Sequence, residues 1–281
     1  MARFRERLVE QVRATAGIMA RVGSPPASAR VLSTEQRTNY SVQTISFPSG
    51  TGIELQARLA VPNGSGRKPA TLLLSVDPPL DSELERLAGS GNIVFAPMVL
   101  PGAGDADDRK SPLLGPFYMA SLRSFLIGKT LVGLRAEDVL RAVDWLASRD
   151  DVDPSRISAE GRGPMGIVLL HAAVLDARVR SITLDRTLVS YRMAVDDPMP
   201  RDLAQSAIPG VLRHYDLDDL VMAIAPRPVL VIEPLDAAGK RVGNDEFHRQ
   251  YDWVFDSDRI LHQPDQLRVV ELIKLITTSV D

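Results

Sequence analysis

Two near-continuous apolar runs, ATLLLSV at 70–76 and NIVFAPMVL at 92–100, constrain this chain more than any other feature. A strand with one face in water alternates polar and apolar residues, so runs of this kind mark strands covered on both faces. The stretch between them, SELERLA, has helical spacing. After the loop PGAGDADDRKSPLLGP comes a long helical stretch, in which AEDVLRAVDWLAS puts Val139, Ala142, Val143 and Leu146 on one face. The turn DVDPSR then leads to a strand at RISAE, and IVLLHAAVLD predicts a helix. VRSITLD and RPVLVIE predict two strands on either side of a polar insertion at about residues 190–225. FHRQYDWVF predicts a helix, RILH a last strand and QLRVVELIKLI a closing helix. Upstream, SVQTISF and IELQARLAVP flank the turn SGTG and predict an antiparallel pair, which the loop NGSGRKP closes. The expected class is therefore α/β: a mostly parallel, doubly wound sheet of about eight strands with helices on both faces.

The N-terminal stretch spaces Phe4, Leu8, Val12, Ala16 and Met19 at helical intervals among five arginines, which predicts an amphipathic helix packed on the body. GSPPASAR at 23–30 reads as a linker and the body is expected to begin near Tyr40. The expected division is an N-terminal helix and linker over 1–39 and one α/β domain over 40–281. At 281 residues and 44% hydrophobic content, such a chain can bury roughly 75% of the surface its unfolded form exposes. A net charge of -3 offers no basic footprint for nucleic acid, and no apolar run approaches the ~20 residues of a membrane span. Without cysteine, thiolate metal sites, disulfides and cysteine nucleophiles are excluded. The N-terminus lacks a secretory apolar segment, which leaves a cytoplasmic protein and a piece of a longer secreted chain equally open.

The stretch ISAEGRGPMG at 157–166 sits between a strand and a helix and admits two readings. Gly161, Gly163 and Gly166 satisfy the dinucleotide fingerprint GxGxxG, with Asp185 near the spacing of a ribose-binding acid. Against it, about half of the chain precedes the motif, and Pro164 removes a backbone donor that a pyrophosphate would use. The alternative is a nucleophile elbow, GxSxG. Gly161 meets its first small position, Met165 is expected to crowd the second, and Gly163 at the centre has no hydroxyl.

The segments DVLRAVDWLASRDDVDPSRISAEGRGPMG, LHAAVLDARVRSI and PGVLRHYDLDDLVMAIAPRPVLVIEPLDAAGK decide between them. Over roughly residues 70–276 the chain resembles acetyl xylan esterases and related esterases of the α/β-hydrolase fold. The resemblance implies that Gly163 takes the position of the nucleophile serine, Asp236 that of the triad acid and His262 that of the histidine. Where such esterases have an oxyanion loop, this chain has SVDPPLDS, in which Pro78 and Pro79 cannot donate. The implied function is that of a catalytically degenerate esterase-fold domain that supports another domain or subunit, or holds a carbohydrate ligand. The alternative is an active carboxylester hydrolase on acetylated carbohydrate with a displaced nucleophile, Ser190. A nucleotide-binding protein is the third and weakest reading. None of the first two needs a cofactor.

The remaining chemistry-bearing residues have plainer expectations. His171, in LLHAAVL, is expected in the core, and His248 on a polar helix in solvent. His214 stands near Asp216, Asp218 and Asp219, a set that could ligate a metal but equally reads as a helix cap. GDADDRK at 104–110 lacks calcium-loop spacing and reads as a solvated loop.

Overall fold

The computed structural model describes residues 2–24, 28–49, 52–98 and 117–251, together with the backbone of 260–263. The prolines of the linker, the tip of the SGTG turn, the expected loop at GDADDRK and the expected closing helix at QLRVVELIKLI lie outside the described residues. The elements in chain order are α1 (Ala2–Ala16), β1 (Arg30–Gln36), β2 (Tyr40–Pro48), β3 (Glu54–Pro62), β4 (Lys68–Leu74), α2 (Asp81–Gly89) and β5 (Ile93–Pro97). They continue with α3 (Tyr118–Leu126), α4 (Leu131–Ser148), β6 (Val152–Arg162), α5 (Pro164–Leu175), β7 (Val179–Asp185) and α6 (Tyr191–Asp196). Last come α7 (Leu217–Ile224), β8 (Val229–Ile232), α8 (Asn244–Tyr251) and β9 (Ile260–Gln263).

The nine strands among the described residues form one sheet, in the order β1-β2-β3-β5-β4-β6-β7-β8-β9. β1 to β3 and the β3–β5 step are antiparallel, and every step from β5 to β9 is parallel. The ninth strand, β1, has no counterpart among the expected elements. It is an edge strand exposed along its whole length, so it carries no alternation that would mark it. The expected turn at DVDPSR is instead the irregular start of β6, whose register against β4 shifts between Lys68 and Ala70.

The apolar runs behave as their composition demands. In β4, Leu72 and Leu74 enter the larger core with α4 and α5, whereas Leu73 enters the smaller one beneath α2 with Leu84, Leu87 and Ala88. β5 splits in the same way, with Ile93 and Phe95 on one side and Val94 and Ala96 on the other. Helices therefore cover both faces of the central sheet. α5 is buried from Met165 to Ala173, which explains its lack of any polar face.

α1 buries Leu8, Val12 and Ala16 as its spacing suggests, but Met19 lies beyond the helix and is exposed. The segment after α1 is tied to α4. Thr130 Oγ1 donates to Ala16 O (2.9 Å), and Glu137 Oε1 accepts from Met19 N (2.6 Å) and Ala20 N (3.2 Å). Thr130 also caps α4 by accepting from Gly133 N at 2.9 Å. The long helical stretch expected here is two helices, separated at Gly128, whose φ is +69°.

His171 is fully buried, with Nδ1 2.7 Å from Ile167 O and Nε2 3.2 Å from the Tyr215 hydroxyl. Burial lowers its pKa to about 4, against the smaller opposing effect of the Ile167 carbonyl. Between pH 6.5 and about 4 the unfolded chain binds a proton that the folded chain refuses, so stability must fall as pH drops through that window. We expect His171→Gln to remove on the order of 3 kcal/mol of this pH dependence between pH 7 and 4. Urea unfolding of both proteins at several pH values measures it; parallel pH profiles would contradict the assignment.

Candidate functional site

The site begins where β6 turns into α5. Gly163 has φ +53° and ψ -127°, a conformation that L-residues rarely adopt. Its N–H donates to Asp185 O of the neighbouring strand (2.8 Å), and its own carbonyl accepts from Gly166 N (3.0 Å). A Cβ at Gly161 would stand 2.7 Å from both Gly166 Cα and Met165 O, and one at Gly166 would stand 1.9 Å from Thr187 Oγ1. Both glycines are therefore required by contact between α5 and the strand ends. At Gly163 the nearest atom to such a Cβ is Arg186 O at 4.0 Å, so space is open there.

Met165 does not crowd the turn as expected. Its side chain is fully buried in the core, and the position without room is Gly166, one residue on. The glycines of the apparent dinucleotide fingerprint thus serve packing and the turn. Asp185 is half-buried and faces Arg162 and Arg186, each at 3.6 Å. Pro164 opens the helix at its first position, where its ring is tolerated but offers no N–H. In an elbow of this type the residue after the central one supplies an oxyanion donor. Here that residue is a proline.

Beneath the turn, Arg162 gathers three carboxylates. Its Nε and Nη2 donate to Glu160 Oε1 at 2.8 and 2.6 Å, its Nη1 donates to Glu83 of α2, and Asp185 closes the group. Burial raises the pKa of Glu160, with Arg162 opposing, and burial likewise raises that of Asp185, opposed by Arg186 and Arg162. Glu160 Oε2 is buried and has no hydrogen-bond partner among the described residues. Sequence reading missed this network, although an arginine between two glycines at a strand end was its one visible sign.

Gly163 and Asp236 come together on one cavity of about 210 Å³, also lined by Arg186, Arg201, Asp202 and Leu235. Asp236 follows β8 in a tight turn, where its Oδ1 accepts from Lys240 N (2.8 Å). On the other side of Gly163 a hollow of about 540 Å³ is bounded by Val76, Pro78 and Pro79, which places SVDPPLDS beside the elbow. His262 pairs with Val231 inside β9 and does not follow the last strand; its side chain lies outside the described residues. The three positions implied for a triad are thus on β6–α5, the loop after β8, and β9.

Ser190 does not fit the part of a displaced nucleophile. It is fully buried, caps α6 by accepting from Arg192 N (3.0 Å), and donates to Asp216 Oδ2 at 2.5 Å. Asp216 in turn caps α7, sharing a reciprocal cap with Asp219. His214 and His248 are exposed, and no cluster of metal-ligating side chains occurs among the described residues.

The fold that carries this turn has counterparts among solved structures. A protein from Bacteroides fragilis, provisionally assigned as an acetyl xylan esterase, superposes with a TM-score of 0.70 at 16% identity, over 93% of this chain and 75% of its own. A glucuronoyl esterase from Solibacter usitatus gives 0.65 at 12%, over 97% of this chain and 90% of its own. An acetyl xylan esterase from Paenibacillus sp. R4 gives 0.63 at 16%, over 96% and 92%. This chain has an α/β-hydrolase-like fold. No protein-family profile matches it. A Bacillus subtilis protein provisionally named a hydrolase, YtaP, is 29% identical over 106 residues, 37% of this chain. That match spans only 36% of the relative's length.

Two substitutions separate contact from conformation at this hydrolase-like elbow. Gly166→Ala should destabilise by at least about 1–3 kcal/mol, because the added methyl overlaps Thr187. Gly163→Ala should cost only the backbone strain, on the order of 1–2 kcal/mol, because nothing blocks the methyl. Chemical denaturation decides, and a larger loss at Gly163 would refute this account of the turn. Arg162→Met should cost roughly 3–5 kcal/mol at neutral pH by stranding Glu160, and adding Glu160→Gln should recover part of it in the same measurement.

Proposed function

We propose that this chain is a catalytically degenerate, acetyl xylan esterase-like domain, whose elbow cavity binds a ligand or supports a partner without serine-based ester hydrolysis. One observation carries the reading: the elbow holds Gly163 followed by Pro164, so the turn has neither an attacking hydroxyl nor the donor that follows it. The loop at Pro78 and Pro79 removes donors from the opposite wall of the same site. In a serine hydrolase, loss of the nucleophile alone costs about 10^6 in turnover, and loss of one oxyanion donor about 10^2–10^3. The names of the structural neighbours, acetyl xylan and glucuronoyl esterases, support a carbohydrate as the ligand class. A displaced-nucleophile enzyme gains no support from Ser190, whose hydroxyl is buried against Asp216. A nucleotide-binding role gains none from a turn whose glycines are consumed by packing.

The purified chain is expected to be inert toward p-nitrophenyl acetate and unlabelled by a fluorophosphonate probe. Gly163→Ser alone should restore little, because Pro164 still lacks a donor. Gly163→Ser with Pro164→Ala should exceed either single change, while Met165→Gly should not help, since Met165 fills the core. Wild-type turnover abolished by Ser190→Ala would overturn the proposal in favour of an active hydrolase.

A further inference from the structure

The cavity beside Gly163 carries two arginines that the elbow does not use. Arg186 follows β7 and Arg201 lies in the segment after α6, and both line the cavity. Among the described residues, the Arg201 side chain makes no hydrogen bond or ion pair. Arg186 forms one ion pair among the described residues, Nε to Asp185 Oδ1 at 3.6 Å, which is beyond hydrogen-bonding distance and leaves its donors unused. The aspartates of the same wall are engaged. Asp202 accepts from Gln205 Nε2 (3.1 Å) and is drawn to the buried Arg135, while Asp236 Oδ1 accepts from Lys240 N (2.8 Å). These four side chains balance in formal charge, but the carboxylates already accept from neighbouring donors whereas the guanidinium groups keep hydrogen-bond donors unused, and Ile167, Leu188 and Leu235 supply apolar wall between them.

Backbone strain converges on the same place. Among the described residues, those other than glycine with left-handed backbone are Arg186 (φ +49°), Asp202 (φ +52°) and Glu233 (φ +46°), and the first two line this cavity. Such conformations cost on the order of 1–3 kcal/mol each and concentrate at ligand clamps. A volume of about 210 Å³ is below that of drug-sized sites and suits a single ring.

We propose that this cavity binds a small monocarboxylate with an apolar body, its carboxylate held by Arg186 and Arg201. Guanidinium groups match a planar carboxylate in two-point geometry, and the apolar walls cover the rest of the molecule. A dianion is disfavoured, since Asp202 and Asp236 stand on the same wall. The inference rests on the proposed reading of the cavity as a binding site.

Calorimetric titration of the full chain with benzoate, benzamide and acetate tests it. Benzoate is expected to bind about tenfold or more tightly than the neutral amide and than acetate, with amide-resonance shifts at Gly163 and Gly239 in NMR spectra. Arg186→Gln and Arg201→Gln should each weaken benzoate about tenfold; losing the exposed Arg201 should leave the unfolding temperature unchanged, whereas losing Arg186 beside the half-buried Asp185 should lower it slightly. Equal binding of benzamide, equal binding of acetate, or undiminished benzoate binding in the double variant would overturn the proposal. Its failure is distinct from failure of the degenerate-domain reading, which p-nitrophenyl acetate turnover alone would sink.

Discussion

The contact of α5 with the ends of β6 and β7 sets the geometry on which the rest of the site depends. Gly161 and Gly166 leave no room for a Cβ, and Thr187 fills the space that a side chain at Gly166 would need. With the helix held that close, the chain must reverse within Arg162 and Gly163, and Gly163 takes the left-handed conformation as a result. Packing density in a protein interior makes such an approach all or none, because a single added methyl group has nowhere to go. The cavity, the position of Asp236 and the exposure of Arg186 all follow from this crossing.

Charge stabilises what packing positions. Arg162 connects α2, β6 and β7 through Glu83, Glu160 and Asp185, directly beneath the turn. Two of those carboxylates have raised pKa values because burial outweighs the cation's help, so the network is held by geometry against a desolvation cost. The elbow is thus a rigid and expensive piece of structure.

The positions around Gly163 differ in what they would supply to a reaction. Pro164 and the pair Pro78 and Pro79 lack N–H groups on both sides of the place where an oxyanion would form. Donors aimed at developing charge are a large electrostatic contribution to acyl transfer, so prolines at these positions would add to the cost of a missing hydroxyl without equalling it. By contrast, Arg186, Arg201 and the apolar wall can bind without any such device.

The α/β class, the parallel core and most elements were legible in the sequence, since β4 and β5 must be apolar on both faces and α5 all round. The turn at Gly161–Gly166 was legible too, because glycine spacing reflects local backbone demands. β1 was not, as an edge strand exposed throughout leaves no pattern. Met165 was misjudged for a related reason: spacing along the chain does not say whether a side chain turns to the site or to the core. Only the tertiary structure decided that Ser190 pairs with Asp216, 26 residues away, and that Arg186, Arg201 and Asp236 share one cavity with Gly163. Those relations are made by helix ends and loops that the sheet brings together, and sequence periodicity carries no information about distance between such segments.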